Sequence, residues 1–286
     1  MYRLSTLVIL LFLMSGYFHA HSQRYFTALE VGISGGGSQY FGDLNQHYGF
    51  KTPYPGGGFY GRYRLNSYIA AKAGVNYTRV GYDDKLESDP YQKLRNLNFK
   101  SDIFEFAVQA EFNFFAFITG DPYHRFTPYL TGGVGVFYYD PYTTYNGVRY
   151  YLRQMGTEGQ NAGYANRKYS TTAACFPVGA GVKVWIRKGV NLTVELADRL
   201  TTTDYLDDVS STYVGADKFK KNAIAAALQD RSGEVNSVKL GRDGKQRGNT
   251  SSKDQYFMAL ISLSFNFTSY KCTGPLMSRD DEMRVR

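Results

Sequence analysis

The stretch Ile103-Phe104-Glu105-Phe106-Ala107-Val108-Gln109-Ala110-Glu111-Phe112-Asn113-Phe114 decides the fold. Phe104, Phe106, Val108, Ala110, Phe112 and Phe114 fall on one parity, and Glu105, Gln109, Glu111 and Asn113 on the other. A strand sends successive side chains to opposite faces, so this segment has one apolar and one charged face, a sorting that a helix cannot give. It is also long. About eleven residues is what a tilted strand needs to cross the hydrocarbon layer of a bilayer, roughly twice the usual strand of a soluble sheet. The apolar face is expected to meet lipid.

Seven further segments repeat the pattern: 25–40, about 57–65, one from the Asn66-Ser67 turn to about 80, 127–138, 176–186, one beginning at Val190, and 255–267. Leu29, Val31 and Ile33 alternate with Glu30, Gly32 and Ser34; Val190, Leu192, Val194 and Leu196 alternate with Asn191, Thr193 and Glu195. Short turns are expected at Asn66-Ser67, at Thr119-Gly120-Asp121-Pro122 and at Arg187-Lys188-Gly189. The segments 82–100, 139–171 and 201–254 read as long loops. Two helices are expected within them. Ser88-Asp89-Pro90 is a helix start signal for 90–96, and Phe219, Ile224, Ala227 and Leu228 share one helical face over 218–229.

The 286 residues include 26 Tyr, 20 Phe and 30 Gly against one Trp, a composition foreign to a helical membrane bundle. Arg3, the apolar run 4–14 and Ala20-His21-Ser22 have the layout of a secretory signal, so residues 1–22 are expected to be removed and the mature chain to span 23–286. Its net charge is then +7 in place of +8, since Arg3 leaves. That excess is unclustered and points to no nucleic acid.

Eight amphipathic strands leave a sheet with open edges, and in lipid every backbone donor must be paired. The expected fold is therefore all-β: an eight-stranded antiparallel transmembrane barrel over 23–267 with long, partly helical external loops. An even strand number puts both termini on one side, periplasmic in an outer membrane, with a tail over 268–286 on that side. Parity turns Glu30, Arg62, Arg64, Lys72, Glu105, Glu111, Lys183, Glu195 and Arg199 into the lumen, five cations and four acids. A barrel of this size is filled by side chains, which predicts a plugged interior with an ion-pair network rather than a gated ion path. A soluble binding barrel would show the opposite polarity.

No catalytic, cofactor or metal site is expected. His47 and His124 are the only histidines of the mature chain and fall on opposite sides of the membrane. Asp204, Asp207 and Asp208, with Asp43 and Glu158 from other loops, could gather calcium, but their spacing is not that of an EF-hand and a solvated or capping role is the plainer reading. Nor does a base stand next to an exposed serine, as a hydrolase needs. Cys175 and Cys272 lie at opposite ends of the barrel, too far apart for a disulfide, and Cys272 could pair with another protein.

Five motifs resemble those of one family: Gly37-Ser38-Gln39-Tyr40-Phe41-Gly42-Asp43-Leu44-Asn45, Arg95-Asn96-Leu97-Asn98-Phe99-Lys100-Ser101-Asp102-Ile103, Gly156-Thr157-Glu158-Gly159-Gln160, Thr203-Asp204-Tyr205-Leu206-Asp207-Asp208-Val209-Ser210 and Arg247-Gly248-Asn249. Together they are similar to the PorG-like outer-membrane proteins of Bacteroidota. The resemblance implies a component of the type IX secretion system that anchors a periplasmic ring of proteins resembling PorK and PorN. A general structural or binding barrel is the alternative. The residues expected to meet the ring are Phe115, Phe117, Tyr123, Arg125, Arg187, Lys188 and Cys272. Most of the motifs, including Asp43, Glu158, Asp204, Tyr205, Asp207 and Asp208, fall instead at the external end, where they either lock the loops into a cap or bind a second partner.

Overall fold

A computed structural model describes residues 28–187, 189–219 and 222–268. The expected signal, Lys188, Cys272 and most of the tail lie outside the described residues. The long strands are β1 (Ala28–Phe41), β2 (Tyr54–Arg64), β3 (Ile69–Asp83), β4 (Asn98–Asn113), β5 (Phe126–Tyr138), β8 (Thr172–Arg187), β9 (Val190–Thr201) and β10 (Gln255–Thr268). They run in the order β3-β2-β1-β10-β9-β8-β5-β4, and β4 pairs back onto β3, so eight antiparallel strands close a barrel. The closing pair is the longest, from Ile69 opposite Phe112 to Asp83 opposite Asn98. Closure leaves no open edge in the wall, which is what the alternating strands required.

The polar segment 82–100 is shorter as a loop than its composition suggests, because Tyr82 and Asp83 still belong to β3 and β4 begins at Asn98. The loop 139–171 holds a hairpin, β6 (Tyr142–Tyr145) and β7 (Val148–Tyr151), turned by Asn146 and Gly147, both at positive φ (50° and 78°). Such a turn favours Asn-Gly because both central residues need the left-handed region. A single turn, α2 (Leu152–Met155), follows.

Helix α1 (Pro90–Arg95) begins where Asp89 accepts from the Tyr91 amide at 2.8 Å, with Pro90 in the first turn, and ends on Asn96 at φ 57°. The helix expected over 218–229 is broken. A 3-10 turn covers Ala216–Phe219, and α3 (Ala223–Gln229) starts afresh where the Asn222 side chain caps the Ala225 amide at 3.0 Å.

Around the middle of the wall the outward positions of every strand are apolar: Leu29, Phe59, Val75, Phe106, Val134, Val178, Leu196 and Ile261 are all exposed. Inward positions alternate small and bulky. A Cβ on Gly32 would sit 2.4 Å from the Tyr60 ring and one on Gly181 2.7 Å from the Tyr129 ring, so these glycines make room for aromatic side chains inside the wall. The buried apolar core lies at the loop end, where Tyr40, Leu44, Tyr82, Phe99, Phe137, Leu206, Leu228 and Tyr256 pack the loops onto the mouth of the barrel.

Candidate functional site

The middle of the lumen is built around Glu111. Its carboxylate lies 2.8 Å from Arg62 Nε, 2.6 Å from Lys183 Nζ and 3.9 Å from Lys72 Nζ. Arg62 also pairs with Glu30, and Lys72 Nζ reaches Glu195 at 2.5 Å. Glu30 takes Arg64 at 3.7 Å and the Ser264 hydroxyl at 2.6 Å. Nearer the loops Glu105 accepts from Arg199 Nε at 3.2 Å, Tyr256 Oη at 2.6 Å and Asn76 Nδ2 at 2.7 Å. Thus seven of the nine inward charged residues meet in one chain of contacts that cross-links strands not neighbouring in the wall, and Glu105 with Arg199 forms a separate pair nearer the loops. The Lys183 ammonium also stands 4.2 Å from the centroid of the Tyr129 ring, and that tyrosine donates to Glu195 at 2.7 Å. A cavity of about 20 Å³ remains beside Tyr60, Arg62, Lys72, Thr193 and Glu195, room for a water molecule or two.

The second cluster is the cap. Arg95 makes two 2.7 Å bonds to Asp84 and donates to the carbonyls of Arg247 (2.7 Å) and Asp43 (3.1 Å). Arg247 Nη1 donates to Glu158 Oε1 at 2.5 Å and to the Asp208 carbonyl at 2.6 Å. The Asn249 amide donates to Asp43 Oδ2 at 2.8 Å, and Ser210 Oγ donates to Asp204 at 2.5 Å. Gly248 is needed here because a Cβ would come within 2.3 Å of Asp43 Oδ2. Asp208 accepts from Tyr169 Oη at 2.7 Å and from Thr157 Oγ1. Tyr205 stacks on Tyr169 with centroids 4.4 Å apart. Each of the five motifs therefore contributes a side chain or backbone group to this one cluster. Tyr40, Arg95 and Arg247, quoted within the motifs but given no role of their own, and Asp84 and Asp254, which lie outside the motifs, carry much of it; the charged members had no strand parity to mark them as buried.

Burial is the main force on the cap acids. It pushes Asp43 up to about 7 against the Asn249 amide, which lowers it, and Asp208 up to about 7 against Arg247. Asp204 rises to about 6 for the same reason, and Asp207 and Asp254 lie well above the usual carboxylate range, each further raised by neighbouring acids. Among the described residues no group of three or more His, Cys, Asp and Glu side chains is placed to hold a metal ion.

At the opposite, turn end Tyr123 is 93% exposed, and Phe115, Arg125 and Arg187 are exposed at the same end. Phe117 corrects the sequence reading: only 2% exposed, it folds back under Arg64, whose guanidinium lies 5.6 Å from its ring centroid, and closes that end of the lumen. A buried plug cannot serve as a docking residue. Cys175 is fully buried, with its sulfur 3.9 Å from Glu105 Oε2.

A closed eight-stranded antiparallel barrel with an apolar outer wall and a packed, charged interior is the class that this geometry defines. The chain belongs to the family described as Domain of unknown function (DUF6089), whose model matches residues 5–226. No protein of curated function matches it. Among solved structures it is similar to Ail, the attachment invasion locus protein of Yersinia pestis, at 10% identity and a TM-score of 0.41 over 85% of this chain and 100% of Ail. It is also similar to Neisserial surface protein A, at 12% identity and a TM-score of 0.40 over 84% and 99% of the two chains. The N-terminal β-barrel domain of Pseudomonas aeruginosa OprF is a third, at 11% identity and a TM-score of 0.35 over 83% and 97%.

Proposed function

We propose that this protein is a non-conducting outer-membrane barrel, with the turn end and both chain termini in the periplasm and the cap outside, that serves as an anchor for a periplasmic partner. The observation that carries the membrane reading is the height of the apolar belt. Along β4 and the residue that follows it, the belt runs from Phe104, 57% exposed, to Phe114, 51% exposed. Ten steps of about 3.4 Å tilted by about 45° span roughly 24 Å, the height of the apolar band of outer-membrane barrels. Beyond Phe104 the same face turns charged, with Asp102 paired to Arg79 at 2.7 Å and Lys100 exposed. Inside, the linked ion pairs fill the section through which ions would have to pass.

The partner is a ring of proteins resembling PorK and PorN, and the role is membership of the type IX secretion machinery. This finer reading rests on the resemblance of the five motifs and on the exposed aromatic and basic surface of Phe115, Tyr123, Arg125 and Arg187. A surface of this kind docks by complementary charge around an aromatic anchor. Deleting the gene and measuring surface delivery of secreted enzymes tests it, together with co-purification of ring proteins by wild type and by Y123A/R125E. Lost delivery in the null strain and lost co-purification in the double variant are expected. Normal delivery with no ring protein bound would replace the anchor by a general envelope barrel. One observation already favours that second reading: the motif side chains are spent on one another inside the cap.

A further inference from the structure

Tyr40, near the loop end of β1, points its hydroxyl between two carboxyls. The oxygen lies 2.5 Å from Asp207 Oδ2 and 3.0 Å from Asp254 Oδ1. Both distances are hydrogen bonds, yet a phenol has one hydrogen to give. The remaining oxygens are already engaged: Asp207 Oδ1 accepts from the Val209 amide at 2.8 Å and Asp254 Oδ2 from the Leu206 amide at 2.9 Å. If Tyr40 donates to Asp207, the Asp254 carboxyl must bring its own hydrogen to the phenol oxygen; if it donates to Asp254, Asp207 must. Two ionised carboxylates would set lone pairs against lone pairs in a site where Tyr40 and Tyr256 are 0% exposed and the Phe99 ring packs edge-on at 4.8 Å.

The surrounding charge does not relieve this. From the loop after β1, Asp43 faces the pair; from the 201–254 segment, so does Asp204. From α1 comes Arg95, but its guanidinium is held by Asp84 and two carbonyls. Arg247, with Arg167 behind it, is spent on Glu158 and the Asp208 carbonyl, and Lys253 acts on Asp204. Among the described residues no cation lies within salt-bridge distance of Asp207 or Asp254.

We infer that one extra proton is held among Asp207, Tyr40 and Asp254, and that its release to solvent at alkaline pH loosens the 201–254 segment from the barrel wall, making the cap a proton-operated latch. The position supports the role. Tyr40 belongs to the wall, Asp207 to the first turns of the long loop after β9 and Asp254 is its last residue before β10, so this one hydrogen-bonded group ties both ends of the loop to β1. Without the proton two adjacent buried anions remain, and the loop relieves them by letting water in.

The test uses the full-length protein folded in lipid vesicles. Infrared spectra at mildly alkaline pH, where Asp43 and Asp208 at about 7 are ionised, are expected to show one protonated-carboxyl C=O band that D207N and D254N each remove. Amide exchange over 201–254, corrected for the intrinsic chemical rate, is expected to accelerate at least tenfold from mildly to strongly alkaline pH in wild type, above the range in which Asp43 and Asp208 at about 7 lose their protons. In D254N or D207N it should stay flat, because an amide supplies the needed N–H at every pH. Absence of the band in wild type overturns the inference, even if neither variant folds. Wild-type pH dependence persisting in both variants overturns it as well.

Discussion

Replacing Glu111 by alanine is expected to cost the barrel about 3–5 kcal/mol, and the structure says which charge is responsible. Three cations approach this carboxylate, at 2.6 Å (Lys183), 2.8 Å (Arg62) and 3.9 Å (Lys72). Arg62 would keep Glu30, and Lys72 would keep Glu195 at 2.5 Å. Lys183 would keep only the neutral Asn113 Oδ1 at 2.9 Å and the face of Tyr129. Breaking a buried pair so that one charge is stranded is worth about 3–5 kcal/mol, more than a hundredfold at the middle of that range. The strand itself is undisturbed, since alanine keeps the parity of β4. Removing the stranded charge as well, in E111A/K183M, should recover at least about 1 kcal/mol, because an apolar side chain in that place needs no partner. Equilibrium urea unfolding in lipid vesicles, followed by the electrophoretic shift between folded and unfolded forms, gives both values. A loss below about 0.5 kcal/mol for E111A, or a double variant no more stable than the single one, would refute the argument that this network is held by charge complementarity.

In the cap, R247M removes the partner of Glu158 and three donated bonds, and should raise proteolytic cutting within 201–254 while leaving the folded barrel band on a gel unchanged; an uncut loop would show that Arg247 is dispensable. Cys175, fully buried, should resist maleimide in the folded protein and react on denaturation, and rapid labelling of the native state would contradict its placement. For Asp208 the sign follows from linkage: its carboxyl is raised from 3.8 to about 7, so the folded cap binds the proton more tightly than the unfolded chain. Its contribution, at most about 4 kcal/mol, is present below 3.8 and lost as pH rises through 7, and D208N should flatten that part of the stability profile.

The barrel was legible because a wall has a period of two and nothing else in a chain does. Glu105 between Phe104 and Phe106 already says which side is lipid-like and which is lumen, and Asn66-Ser67 and Gly189 mark the turns. Strand ends were less legible. Beyond Phe104 the outward face carries Asp102 and Lys100, since it has left the apolar belt, so the alternation that identifies β4 stops before the strand does. Asn146-Gly147 between two tyrosine-rich runs is a hairpin signal, and the surrounding glycines and tyrosines concealed it. Phe117 was misplaced because parity ends at the strand: after Phe114 the chain turns back, and no local pattern says whether an aromatic ring in a turn points out or under. The cap could not be assembled from spacing at all. Tyr40 and Asp207 are 167 residues apart, and such contacts follow only from closure of the wall that carries them.

Lumen and cap solve the same problem by different means, and the difference follows from topology. In the lumen each strand offers an inward position at every second residue, so Arg62, Lys72, Lys183 and Arg199 can be placed at the height of an acid on a facing strand. The wall supplies the registry, and charge is balanced by charge. The cap is made of loops that cross once over the mouth, and its buried arginines Arg95, Arg247 and Arg231 are committed to Asp84, Glu158 and Glu234 by bonds of 2.7, 2.5 and 2.7 Å. Asp43, Asp207 and Asp254 are then left to backbone amides and hydroxyls, which orient a carboxyl without neutralising it, and Asp208 has beside its hydroxyl donors only an Arg247 nitrogen at 3.9 Å. Protons must make up the deficit. Ion pairs shielded by the wall are little screened by salt, whereas a proton deficit near an aqueous surface answers to the pH outside. The cap is therefore the part of this molecule that can respond to its surroundings, and the barrel the part that holds still while it does.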